Sequence, residues 1–192
     1  MLGPLGILNA SLIELGVGTI TAWGEDSPTA EAARTIYPMV RDALLSSYTW
    51  SFATVDEDPV PVPTSEGAPK RFAIPNACLR VVTLTAGEDN RIKVPYRLRK
   101  PRHIVIRASA IEPDTITFIE RVDESLWPSY FEQTMVIGVA ARLCIPLTEN
   151  DARRAALSTV LKNELSGARL IDAQSSTPQA LEGVGDLIAV RS

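Results

Sequence analysis

The most concentrated chemistry in the chain is cationic. Arg91, Lys93, Arg97, Arg99, Lys100, Arg102 and Arg107 follow one another with no acidic residue among them. Side chains alternate faces along a strand, so Arg97 and Arg99 share a side. A run of this kind can form a rim for an anionic partner, either an acidic protein surface or a DNA backbone. The plainer reading is cross-strand pairing with Glu112, Glu120 and Asp123, plus a solvated strand edge whose charges resist aggregation. The formal net charge of -4 favours a protein partner, or that plainer reading, over a dedicated nucleic-acid binder.

Other chemistry is sparse. His103 is the single histidine. A Ser-His-Asp triad would need it, yet no G-x-S-x-G motif accompanies it, so it reads as a structural or surface residue. Cys78 and Cys144 lie far apart without the spacing of metal ligands. Cys144 falls in an apolar segment and reads as a small core hydrophobe. A disulfide framework is not expected, which fits folding in a reducing compartment. Asp56-Glu57-Asp58 reads as a solvated acidic loop rather than a cation site. No P-loop and no G-x-G-x-x-G is present. The expectation is a protein that is not an enzyme and has no cofactor or metal.

The elements that must position the basic run are legible from periodicity. Leu5, Leu8, Leu12 and Leu15 make a helical stripe, with Pro4 in the first turn and Gly16 and Gly18 at the end. Ser27-Pro28 starts a second helix with Ala33, Ile36, Val40 and Leu44 on one face, kinked at Pro38. Asp56–Lys70 is proline-rich and reads as a surface loop. Leu79–Thr85, Lys93–Arg99, His103–Arg107 and Thr115–Arg121 read as strands. In the last of these, Ile116 and Phe118 share one face and Ile119 takes the other.

A helical hairpin over Ser129–Asp172 follows. Its first arm is apolar on nearly every side and must be buried all round. That arm is shorter than the ~20 apolar residues a membrane helix needs, and Gln133, Arg142 and Pro146 interrupt it. The N-terminus lacks the basic region of a secretory signal. The second arm buries Leu157, Leu161, Leu165 and Ala168 and directs Arg153, Arg154, Lys162, Glu164 and Arg169 elsewhere. Those charged faces read as the surface between neighbouring copies. Trp23, Trp50 and Trp127 flank helix ends and read as core plugs. The tail ends in Leu187-Ile-Ala-Val190, a segment suited to ordering on a partner.

The expected fold is α+β in a single domain spanning 1–192. Four helices near 4–15, 28–46, 129–145 and 150–172 form a bundle. A small antiparallel β insertion occupies about 79–121 within 72–123, and an extended arm covers 175–192.

Several stretches then resemble one family when taken in order. They are Asn9-Ala-Ser-Leu-Ile-Glu-Leu-Gly-Val, Ile36-Tyr-Pro-Met-Val-Arg-Asp-Ala-Leu-Leu, Trp50-Ser-Phe-Ala and Ile74-Pro-Asn-Ala-Cys-Leu-Arg-Val. Further along stand Phe118-Ile-Glu-Arg-Val, Ala140-Ala-Arg-Leu-Cys-Ile-Pro-Leu-Thr and Gly167-Ala-Arg-Leu-Ile-Asp-Ala-Gln. From about Asn9 to Gln174 the chain is similar to the tail tubular protein A family, the head-to-tail adaptors of short-tailed phages. The resemblance implies a structural virion protein made in the host cytoplasm and placed at the head–tail junction. Its copies would form a ring, typically dodecameric, between the portal protein and the tail nozzle protein, continuing the channel for genomic DNA. A C-terminal segment would run along the portal, which makes Leu181, Leu187, Ile188, Val190 and Arg191 the portal-binding candidates. Arg91, Lys93, Arg97, Arg99, Lys100 and Arg102 are the candidates that face the nozzle or DNA. No catalytic residue and no membrane contact come with the resemblance. The competing readings are a DNA-binding accessory protein using residues 91–107 and, ranked last, a tail-associated hydrolase.

Overall fold

The computed structural model describes residues 2–87, 92–100, 102–107 and 110–175. Among them, four α-helices carry one half of the molecule. α1 spans Pro4–Glu14, with Pro4 in its first turn, and stops where Gly16 takes a positive φ of 64°. α2 spans Pro28–Ser46. The Ser27 hydroxyl caps it by accepting from the backbone N–H of Ala30 at 3.3 Å, and the helix runs through Pro38 unbroken. α3 spans Ser129–Thr148 and ends at Glu149 in the left-handed region. α4 spans Asp151–Ser175, and the Asn150 side chain caps it by accepting from the N–H of Arg153 at 2.9 Å.

The other half is β structure. β1 (Thr54–Glu57), β8 (Thr115–Glu120), β4 (Cys78–Ala86) and β5 (Ile92–Lys93) form one antiparallel sheet in that spatial order. β2 (Pro61–Val62), β3 (Arg71–Ala73), β7 (His103–Val105) and β6 (Arg97–Arg99) form a second. Phe72 and Ile104 from the second sheet and Val81, Leu84, Ile116 and Phe118 from the first share a core of their own. That is a two-sheet sandwich.

The expected four-helix bundle with a small β insertion at 79–121 is therefore corrected on two counts. First, β1, β2 and β3 lie upstream of that span, in and beside the proline-rich stretch read as a loop. Proline is tolerated at a sheet edge, and β2 with Pro61 is an edge strand. The expected strand over 93–99 is also split, because Val94-Pro95-Tyr96 interrupts it and sends β5 and β6 to different sheets. Second, the helices do not close a ring of mutual neighbours. α1, α2 and α4 each pack on α3, which acts as a hub. Its burial comes from these three helices.

Two details tie the halves together. β8 turns Ile116 and Phe118 into the sandwich core and Ile119 into the helical core, as the alternation of its sequence anticipates. Gly138 on α3 brings α2 close. A Cβ built there would lie 3.0 Å from Leu44 Cδ1 and 3.2 Å from Val40 Cγ1, so this position sets the α2–α3 spacing. Trp50 and Trp127 are fully buried in the helical core, while Trp23 is half-buried against Tyr37.

Candidate functional site

Strand register assembles the basic face. Arg97 on β6 stands opposite Val105 on β7, which stands opposite Arg71 on β3. Arg99, His103 and Ala73 form the next row on the same side. The intervening row of Leu98, Ile104 and Phe72 turns the other way, and Ile104 and Phe72 enter the sandwich core. Arg71, Arg97 and Arg99 therefore project from the outer face, and all three are exposed.

An open groove of about 680 Å³ lies on this face. Pro69, Pro95, Tyr96, Arg97, Arg99, Val105, Ile106, Arg107 and Ala110 line it. Among the described residues, three guanidiniums and no carboxylate line it. Among the described residues, no carboxylate is within ion-pair distance of Lys93, Arg97, Arg99, Lys100 or Arg107. The plainer reading, pairing with Glu112, Glu120 and Asp123, finds no such ion pair among the described residues. Glu112 instead pairs with Lys70 at 3.1 Å, and Asp123 accepts from Ser125. Tyr96 sits half-buried at the groove, where burial holds its phenol above the ordinary range, and its hydroxyl donates to the Val81 carbonyl at 3.4 Å.

The remaining members of the basic run part company. Lys93 belongs to β5 in the other sheet, opposite Thr85. Arg102 is spent inside the chain, donating to the Pro75 carbonyl at 2.9 Å and the Cys78 carbonyl at 3.1 Å. Lys100 is exposed just beyond β6. Arg91 lies outside the described residues, as do Leu181, Leu187, Ile188, Val190 and Arg191. Tyr96 joins the groove, and Arg71 the same sheet face, without having stood among the candidates. Arg71 opens a three-residue strand just past the proline-rich loop, and only the register of β3 on β7 reveals its place.

The charged residues of α4 are also divided. Arg153 donates to the Glu14 carbonyl at 2.7 Å, satisfying the end of α1. Arg169 lies 5.4 Å over the Tyr48 ring and donates to the Ser47 carbonyl at 3.4 Å. Arg154 makes an exposed pair with Asp151 at 3.4 Å, Lys162 is exposed and Glu164 is half-buried. Arg153 and Arg169 thus fasten α4 to its own chain.

The strongest anchor of α4 is Asp172, which is 2% exposed. Its carboxylate accepts from the backbone N–H of Ser51 at 3.0 and 3.1 Å, from the Ser51 hydroxyl at 2.7 Å and from the Tyr130 hydroxyl at 2.8 Å. Burial, then the bond and charge of Asp172, push the Tyr130 phenol up to about 12. The folded value stands above the ordinary tyrosine value of about 10. The stabilisation is therefore fully present below pH 10 and lost as pH rises through 12. Urea titrations of the wild type should show a falling stability across that window, and Tyr130→Phe should flatten part of it. Equal slopes in the two proteins would contradict this assignment.

A second polar node pins α2 to the segment before α3. Arg41 lies 3.0 Å from Asp42 and 3.4 Å from Glu124, and Arg121 reaches the same Asp42. Burial pushes the Asp42 carboxyl up, but Arg121 and Arg41 outweigh it and hold it below the usual range.

Among the described residues, no cluster of three or more His, Cys, Asp or Glu is placed to hold a metal, and no helix is long and apolar enough to cross a membrane. The chain matches no family model, and no curated protein matches it.

Proposed function

We propose that this chain is a structural docking protein, the head-to-tail adaptor of a short-tailed phage. Its copies form a ring at the head–tail junction, between the portal protein and the nozzle, around the path of the genomic DNA. The ordered motifs from Asn9 to Gln174 support the family. The observation that carries a docking role is the outward groove, where Arg97, Arg99 and Arg107 face solvent with no carboxylate among the described lining residues. Burying such a set against a neutral surface is costly, whereas an anionic partner compensates it. Under this reading the 175–192 arm engages the portal, with Leu181, Leu187, Ile188, Val190 and Arg191 as its contacts.

Cryo-electron microscopy of the protein mixed with the portal tests the proposal. A ring at the portal's narrow end is the expected result, and absence of binding would remove the proposal's main support. The same groove supports a second reading, a DNA-binding accessory protein. That reading requires affinity for duplex DNA that drops steeply with salt and is lost in R97E/R99E. A filter-binding titration that finds no such affinity disposes of it.

A further inference from the structure

We infer that copies of this chain join head to tail through two oppositely charged strand edges, the acidic β1 of one copy seating on the basic β6 of the next. The inference rests on the ring-forming reading above and names the anionic partner of its basic face.

Both strands are sheet edges. β1 pairs only with β8 and β6 only with β7 among the described residues. A free edge presents unpaired N–H and C=O groups that accept another strand. β1 and β5 are the opposite edges of one sheet and β2 and β6 those of the other, and the short links 58–60 and 94–96 tie β1 to β2 and β5 to β6, which puts β1 and β6 on opposite flanks. A contact between opposite flanks is heterologous, so each copy keeps one free edge for the next, and a rotation that closes produces a ring. The neighbouring edge β2 is a poor acceptor because Pro61 lacks an N–H.

Charge selects the pairing. Asp56, Glu57 and Asp58 are exposed along β1 and just past it, and Arg97, Arg99 and Lys100 are exposed along β6 and just past it. Asp56 and Asp58 are two residues apart, as are Arg97 and Arg99, so each pair lies on one face. An antiparallel addition sets Asp58 against Arg97 and Asp56 against Arg99 as cross-strand ion pairs. It also covers Leu98, which is 57% exposed at the centre of the basic edge. One Asp56 oxygen is held by the Thr117 hydroxyl at 2.6 Å, which fixes the carboxylate on the face it must present.

Cysteine cross-linking of the full-length protein traps even a weak contact, and the native Cys78 and Cys144 are buried. Under mild oxidation the D56C/R99C variant should give a ladder of disulfide-linked oligomers. D56C/K162C, which pairs β1 with the outer face of α4, should give none. Charge reversal supplies a second measurement. R97E and D58R should each abolish the ladder in the D56C/R99C background, and R97E/R99E and D56R/D58R, with the native cysteines only, should each lose self-association in sedimentation velocity, with circular dichroism matching the wild type. Mixing the two reversed variants should restore association, with strict alternation in native mass spectrometry. Absence of the D56C/R99C ladder, a ladder from D56C/K162C instead, or no recovery on mixing would overturn the contact. A ring on the portal without the D56C/R99C cross-link overturns this contact and leaves the adaptor reading standing. Cross-linked chains that never bind the portal do the reverse.

Discussion

Asp172→Ala is expected to lower the folding free energy by about 3 kcal/mol, read from the urea midpoint at unchanged slope. Asp172 is nearly inaccessible and accepts from the Ser51 N–H, the Ser51 hydroxyl and the Tyr130 hydroxyl. Removing it strands all three donors at once, and each stranded buried donor costs about 1–3 kcal/mol. Ser51 is exposed and Tyr130 half-buried, so the freed groups are largely resolvated and the total falls well short of the sum. Asp172→Asn keeps an acceptor and should cost about 1–2 kcal/mol, since it weakens charged hydrogen bonds to neutral ones. A loss below about 1 kcal/mol for the alanine variant would show that water replaces the carboxylate at no net cost. These bonds hold the last turns of α4 against the turn that begins at Ser51.

Asp172 also illustrates what was readable in advance. Trp50-Ser-Phe-Ala and Gly167-Ala-Arg-Leu-Ile-Asp-Ala-Gln stood out separately, and the fold brings them together at one carboxylate. Their partnership is non-local and leaves no trace in periodicity. The helices were legible because a stripe repeated over several turns is a long signal. Pro28 and Ser27 marked the start of α2, and the all-round apolarity of α3 announced a helix buried on every side. Strands β2 and β3 span two and three residues, too short for alternation to register, and proline masked the first of them. The basic run was plain in composition. Which of its members meet was not, because the grouping of Arg71, Arg97 and Arg99 depends on the register of three strands distant in sequence. On α4 the expected stripe is buried or half-buried at Leu157, Leu161, Leu165 and Ala168. Arg153 and Arg169 nonetheless curl back onto carbonyls of their own chain, since a long stem lets an arginine on an outer face reach inward.

Trp50→Ala is expected to cost about 4 kcal/mol, measured by guanidinium unfolding. Trp50 is fully buried where the 3-10 turn Ser51–Ala53 meets the hub helix. Its ring centroid lies 5.0 Å from Tyr48 and 5.1 Å from Phe131, both edge-to-face. Its indole N–H donates to the Leu44 carbonyl at 3.0 Å, which also accepts from the Ser47 hydroxyl and N–H, so the loss on truncation comes from the large cavity and not from a stranded acceptor. Trp50→Phe retains an aromatic filler and should lose about half as much. The companion variant Phe118→Ala removes a 1% exposed ring from the sandwich core, with an expected cost of about 3–4 kcal/mol. Comparing the two asks whether the cores are one unit. Ile119 enters the helical core from the same strand that turns Ile116 and Phe118 into the sandwich, so damage on either side is transmitted through β8. Both variants should therefore unfold in a single transition by tryptophan fluorescence and by far-ultraviolet circular dichroism. Non-coincident curves in Trp50→Ala alone would mean that the sandwich holds its fold without the hub and that β8 is a weaker link than its two-faced burial implies.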